Sequence, residues 1–270
     1  MILLKLLQYI FLGVIQGFTE PIPISSSGHL LLVKKIFNFN MLNDINFEIV
    51  VNFGSFIAIF FLYREEIIKL IRDFIKFIIK KDNDSYENYK YVWLIMVATV
   101  PAGIIGLIFK EKIELISGNI KLIGFALIIT ALSLYLIKDI KGKKDKKDIT
   151  FKDAILVGLF QVIALFPGIS RSGSTIVGAM FCNLDRKTAV NYSFMLYMPI
   201  SVATLLLGVS DLIKTPNIES YFIPYLISML VSMLVTYYSA KWFINIMKRG
   251  KLIYFSIYCL IVGLMVLILI

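Results

Sequence analysis

Charge is scarce in this chain, and so are histidine and cysteine. Of 270 residues only 17% are charged and 59% are hydrophobic, with one histidine and two cysteines. A soluble domain carries about 25% charged and 45–50% apolar residues. Together with a mean hydropathy of +0.83, that shortage argues against a soluble fold and for a polytopic α-helical membrane protein. Cys182 and Cys259 lie in apolar segments without paired spacing and read as small buried hydrophobes. Basic residues are present in excess, for a net charge of +10. No basic patch is interleaved with aromatics, so the excess points to cytoplasmic loops and not to nucleic acid. The N-terminal apolar run follows Lys5 but lacks a small-x-small cleavage pattern, and it is expected to stay in the mature protein.

Full-length spans are expected at 47–63, 91–109, 119–137, 190–208, 221–240 and 252–270, each about the 30 Å hydrocarbon thickness at 1.5 Å per residue. Two further runs, Leu6–Phe18 and Ala154–Phe166, reach only about 20 Å as helices. Each breaks into Pro, Gly and Ser before a second short arm, Leu30–Phe37 or Thr175–Cys182. Irregular backbone at membrane depth survives only where protein or a polar cavity satisfies it. The pattern therefore predicts two re-entrant hairpins, at about 6–37 and 154–182. Arg64–Lys81, alternating basic and apolar faces, is expected along the cytoplasmic headgroups. "KDIKGKKDKKD", from Lys138, reads as a solvated connector within 138–152.

The two breaks resemble each other. At a constant offset of 145, Leu12–Gly28 aligns without gaps on Val157–Gly173, sharing the ending Ile-Ser-x-Ser-Gly as well as Gly13/Gly158 and Gln16/Gln161. Three spans follow each hairpin, and an odd number inserts the second half upside down. The predicted architecture is an all-α inverted-topology repeat, residues 1–137 and 153–270 joined by 138–152, an arrangement typical of transporters. Nineteen of the 28 Lys and Arg, in 64–90, 138–152, 186–187 and 248–251, then fall on one side, which the positive-inside rule makes cytoplasmic. The first hairpin enters from outside and the second from inside.

Around the breaks in the interior of the two hairpins the ionisable residues are few: Glu20, His29 and Arg171. Charge at membrane depth is costly, which marks all three as functional candidates; the alternative is a Glu20–Arg171 ion pair that merely fixes one hairpin against the other. Arginine offers a planar fork of donors to phosphate, and Ser-Gly turns leading into helix N-termini offer amides. Arg171, Ser170, Ser172 and the helix near Thr175 therefore outline a phosphate cradle. His29 can move protons near neutral pH, and it or a serine can act as nucleophile. Glu20 can orient the histidine, hold a divalent cation, or both. At the offset of 145, Ser26 faces Arg171 and His29 faces Ser174, so one hairpin supplies reactive groups and the other an anion clamp. Ser25 and Ser27 read equally well as helix caps, Gln16 and Gln161 as packing amides, Glu48 as an interfacial acid and Asp153 as a first-turn acid.

"GVIQGFTEPIPISSSGHL" and "FPGISRSGSTI" resemble the two signatures of the bacitracin-resistance type of undecaprenyl-diphosphate phosphatase, a resemblance that extends across nearly the whole chain. It implies interlocked inverted repeats with re-entrant helices. It also implies hydrolysis of a C55 polyprenyl diphosphate to the monophosphate and phosphate at the outer face of the bacterial inner membrane, with a divalent cation (Mg²⁺ or Ca²⁺). On this resemblance Glu20, Ser26, His29 and Arg171 are catalytic, with Ser26 the preferred nucleophile and His29 its base. Gln16, Ser27, Ser170, Ser172 and Thr175 bind substrate, and Glu20 is the metal-ligand candidate. Gln16 stands where many members carry Glu, which weakens cation binding at that position. Phosphatidic-acid-type lipid phosphatases need two histidines and are excluded. The expected partners are the polyprenyl diphosphate lipid, the membrane and a second copy of the chain. The rival reading is a polyprenyl-phosphate flippase or another inverted-repeat transporter.

Overall fold

Apolar runs broken only by Gly, Pro and Ser fold as helices because a backbone without water must satisfy its own polar groups. The computed structural model describes residues 2–39, 45–214 and 218–269. Among them are eleven α-helices: α1 (Ile2–Thr19), α2 (Ser26–Ile36), α3 (Ile45–Lys80), α4 (Tyr86–Ile108), α5 (Lys110–Ser117), α6 (Ile120–Ile137), α7 (Phe151–Ile163), α8 (Arg171–Phe181), α9 (Arg186–Lys214), α10 (Ile218–Lys248) and α11 (Ile253–Leu269). Five of them, α3, α4, α6, α9 and α10, are long and apolar enough to cross a membrane; α11 is apolar but has 17 residues, and Ile270 lies outside the described residues.

Close packing follows from small residues. α1 lies along α10, where a Cβ on Gly13 would come 2.7 Å from the Ser228 carbonyl oxygen and one on Gly17 2.6 Å from that of Ser232. α7 lies along α4 in the same way, with Gly158 2.7 Å from the Ala98 oxygen. Glycine lets the backbones touch where dispersion, and not the hydrophobic effect, holds helices together. The α3–α10 seam adds buried hydroxyls: Ser232 donates to the Val51 carbonyl at 2.8 Å and Thr236 to Ser55 at 2.8 Å. The outward faces, including Leu3, Phe11, Leu132, Leu206 and Ile261, remain exposed and apolar.

Three expectations change. The first arm begins at Ile2, not Leu6, so α1 is about 27 Å long. The span at 47–63 and the basic stretch after it form one 36-residue helix, α3, about 54 Å long. No Gly or Pro interrupts Phe61–Lys80, so the helical ladder continues through both segments. A short amphipathic helix, α5, separates the second and third spans. The connector is exposed, as a solvated segment should be, and two of its lysines also tie it down: Lys144 pairs with Asp153 at 2.9 Å, and Lys146 reaches Glu66 at 3.0 Å and Asn88 at 3.2 Å. Asp153 closes a capping box with Thr150 at the start of α7, and both cysteines are buried. Glu48 bonds the fully buried Lys34 ammonium at 2.7 Å.

Candidate functional site

The two breaks meet. Glu20–Ser25 separates α1 from α2, and Ala164–Ser170 separates α7 from α8. Ser25 caps α2 by accepting from the Gly28 amide, and Ser170 caps α8 by accepting from the Gly173 amide. Ser172 donates to the Ile22 carbonyl at 3.2 Å, tying one break to the other. Between them lies a cavity of about 180 Å³, far above the volume one water needs.

Glu20, Ser26, Ser27, Ser170, Arg171 and Ser172 all line it. Glu20 is the hub. One carboxylate oxygen accepts from Ser26 and from Gln16 (2.9 Å), and the other pairs with the Arg171 guanidinium. Gln16 is thus a ligand of the acid and more than a packing amide, whereas Gln161 donates to the Ala98 carbonyl as packing requires. The ion pair weighed as a structural alternative exists, and it sits on the cavity wall. The first-turn amides of a helix have no intrahelical acceptor. With Gly28 and Gly173 taken by the caps, those of Ser26, Ser27, Arg171 and Ser172 carry the positive ends of two helices to one space.

Three expected residues do not line the cavity: Gln16, which stands behind Glu20 as its hydrogen-bond donor, Thr175 and His29. Thr175 is wholly buried and does not line the cavity; its hydroxyl bonds the Arg171 carbonyl at 3.0 Å and Ser193 at 2.6 Å. His29 is also outside the lining, and no hydrogen bond joins it to Ser26. Its Nδ1 meets the Ser25 carbonyl at 2.8 Å and its Nε2 the Tyr258 hydroxyl at 2.7 Å. The acceptor of the Ser26 proton in this structure is therefore Glu20, not His29.

Sequence reasoning missed three residues. Tyr197 lies flat under the guanidinium, its ring centroid 3.9 Å from Arg171 Cζ. Asn52 fixes that ring, accepting from the Tyr197 hydroxyl at 3.0 Å through its side-chain oxygen. Ser201, one turn further along α9, also lines the cavity, its buried hydroxyl near that of Tyr197. Tyrosine and serine are too common in apolar helices here to stand out, although an asparagine within "FEIVVNFGSFIAI" is a detectable signal.

For a cation, the donor set is thin. Among the described residues, no group of three His, Cys, Asp or Glu could hold a metal. Glu20 is the only carboxylate on the cavity wall, and both its oxygens are engaged. A divalent cation fits this site only as Mg²⁺ commonly binds, through one carboxylate and the substrate's phosphates.

Fold and cavity together define a multi-pass helical membrane protein with a polar, arginine-bearing pocket set among apolar helices. The sequence profile described as Bacitracin resistance protein BacA matches residues 9–265, and the chain belongs to that family. It is 43% identical over 263 residues to a protein named Undecaprenyl-diphosphatase 2 from Bacillus thuringiensis, covering 97% of each. It is 44% identical over 262 residues to Undecaprenyl-diphosphatase 1 of Halalkalibacterium halodurans, with 97% of this chain and 95% of that one covered. Undecaprenyl-diphosphatase 1 of Bacillus licheniformis is 40% identical over 266 residues, 98% of each chain.

Proposed function

We propose that the chain is an undecaprenyl-diphosphate phosphatase, releasing inorganic phosphate and the monophosphate lipid carrier that bacterial cell-wall synthesis reuses. One observation carries the reading. Two helix N-termini and Arg171 converge on a cavity that is also lined by a serine hydroxyl bonded to a carboxylate. Donors for two phosphate groups thus share one cavity with a nucleophile and its base.

In this reading the diphosphate enters between the breaks and takes the Arg171 fork in place of Glu20. The amides of Arg171 and Ser172 and the Ser201 hydroxyl bind the phosphate oxygens, and the Tyr197 ring supports the guanidinium beside them. Ser26 Oγ attacks the terminal phosphorus as its proton passes to Glu20, and the bridging P–O bond breaks to leave polyprenyl monophosphate. Water then attacks the phosphoserine, Ser26 recovers its proton, and inorganic phosphate departs. Charge on the three equatorial oxygens is met by donors already in place. A divalent cation, held by Glu20 and the diphosphate, would neutralise charge on the bridging and terminal oxygens when bound.

The architecture we infer is the inverted repeat with two re-entrant hairpins, residues 1–137 and 153–270. α2 and α8 have equal lengths at the same offset of 145 as the breaks. Asn52 and Tyr197, equivalent at that offset, hydrogen-bond to each other, as equivalents on a two-fold axis do. Gly13 on α10 and Gly158 on α4 have matching close approaches, each half's hairpin packing on the other half. The cavity is placed toward the outer face of the inner membrane, the polyprenyl tail among the apolar helices, and a homodimer as the assembly.

The test is phosphate release from polyprenyl diphosphate by purified protein in detergent, where no membrane separates two compartments. Arg171→Ala should lower turnover by about 10³ or more while folding persists, the loss of a principal charge stabiliser. No release by the unaltered protein, or near-normal turnover in Arg171→Ala, refutes the assignment.

A further inference from the structure

The one histidine of the chain is held at both nitrogens, and the two bonds together have a direction. A carbonyl oxygen only accepts, so the 2.8 Å contact with the Ser25 carbonyl requires a proton on Nδ1. His29 is 8% exposed, and no carboxylate bonds it, so the buried ring stays neutral. Its bare Nε2 then accepts the Tyr258 proton at 2.7 Å. The two rings lie nearly parallel, at 13° with centroids 5.5 Å apart.

What this chain of bonds holds is a strained turn. Ser25 has φ 71° and ψ 94°, a conformation that L side chains rarely adopt and that persists only where surroundings over-determine it. Its carbonyl accepts from both the His29 amide, at 3.1 Å, and the His29 ring. The next residue, Ser26, donates its hydroxyl to Glu20, and Ser25, Ser26 and Ser27 all line the cavity. The far end of the relay is anchored: on α11, Ser256 donates to the Ala131 carbonyl at 2.7 Å, and Gly263 lets that helix close on the Gly124 carbonyl of α6.

We propose that Tyr258 is a positioning residue of the phosphatase site. Its hydroxyl donates to the bare Nε2 of His29 and reinforces the Nδ1–H tautomer that the Ser25 carbonyl requires, and His29 in turn pins the Ser25 turn from which the Ser26 hydroxyl reaches the cavity. The catalytic part of this proposal rests on the phosphatase reading; the hold of Tyr258 on His29 does not. A hydrogen-bond partner on the far nitrogen of an imidazole acts by fixing its tautomer and orientation.

With a single histidine, ¹⁵N-histidine labelling gives one imidazole and an unambiguous nitrogen spectrum in detergent. The expected spectrum is a protonated Nδ1 and a bare Nε2, with Tyr258→Phe shifting population toward protonated Nε2. A protonated Nε2 in the unaltered protein, or an unchanged spectrum in Tyr258→Phe, overturns the proposal. In turnover, Tyr258→Phe keeps the stacked ring and should lower kcat about tenfold, with KM within about twofold. His29→Asn, whose side-chain amide reproduces the Nδ1–H donor, should turn over about tenfold faster than His29→Ala. Tyr258→Phe should add nothing in the His29→Asn background. Unchanged kcat in Tyr258→Phe, or His29→Asn as inactive as His29→Ala, overturns the positioning role. Absence of turnover in the unaltered protein would refute the phosphatase reading alone, with the nitrogen spectrum still deciding the relay.

Discussion

Glu20→Gln separates two effects that Glu20 combines. In the free protein the carboxylate occupies Arg171, accepts from Ser26 and stands on the wall of the cavity that phosphate must enter. A phosphate seated on Arg171 would lie ~5 Å from that carboxylate, and the repulsion is about 3 kcal/mol per unit charge at an effective dielectric of ~20, under ~1 kcal/mol in water. Removing the charge should therefore tighten cation-free phosphate binding by roughly 4- to 200-fold. The same change removes the acceptor of the Ser26 proton, which should lower turnover by about 10²–10⁴. Stability should fall by less than the ~3–5 kcal/mol typical of a broken buried pair, because the Arg171 side chain is 20% exposed and stacks on Tyr197. The assay is phosphate release together with titration of inorganic phosphate, first in chelator and then in excess Mg²⁺. The gain in affinity should appear only in chelator, since a cation shared between Glu20 and phosphate reverses the sign. Weaker phosphate binding in chelator, or unchanged turnover, refutes this account of the site.

Ser26→Ala should lose turnover by at least about 10² yet keep phosphate affinity, and acid-quenched reactions of the unaltered protein should carry label on Ser26; unlabelled Ser26 removes it as nucleophile. Gly17→Ala drives a methyl to 2.6 Å from the Ser232 carbonyl oxygen and should cost about 1–3 kcal/mol, seen as a lower melting temperature. Gly103→Ala, with nothing within 4 Å of the added methyl, should leave melting unchanged or slightly raised. In the α3–α4 turn, the Lys76 ammonium and then the Ser85 hydroxyl hold the Asp82 carboxyl below its ordinary value. A depressed carboxylate stabilises above its unfolded pKa near 3.8 and loses that contribution as pH falls through the folded value. Asp82→Asn should therefore abolish the acid-side loss of protection in that turn, measured by limited proteolysis at pH 6 and pH 3.

Much of the fold was legible locally. Helical class, the long spans and both break points follow from hydropathy and from Gly, Pro and Ser placed where a helix must stop, properties written within a dozen neighbouring residues. Glu20, Ser26 and Arg171 could be singled out because charge and hydroxyl clusters in an apolar setting need a reason, and they do meet at one cavity. That one helix carries both the span at 47–63 and the basic stretch after it was not legible, since amphipathic patterning looks the same in a separate helix and in a continuation. The ties that hold the connector were missed because a lysine in a basic loop carries no mark of the acid that will meet it.

The sequence by itself determined that this protein is helical, membrane-crossing and twice broken, because those features depend on short-range periodicity and on the cost of burying polar backbone. Only the tertiary structure decided who serves whom at the breaks. Ser26 turns to Glu20, Tyr197 lies beneath Arg171, and His29 faces a tyrosine 229 residues away. The first is settled by a turn within one break, the other two are packing contacts between separate elements, and hydrogen-bond direction, which assigns the proton on His29, exists only once those elements have met.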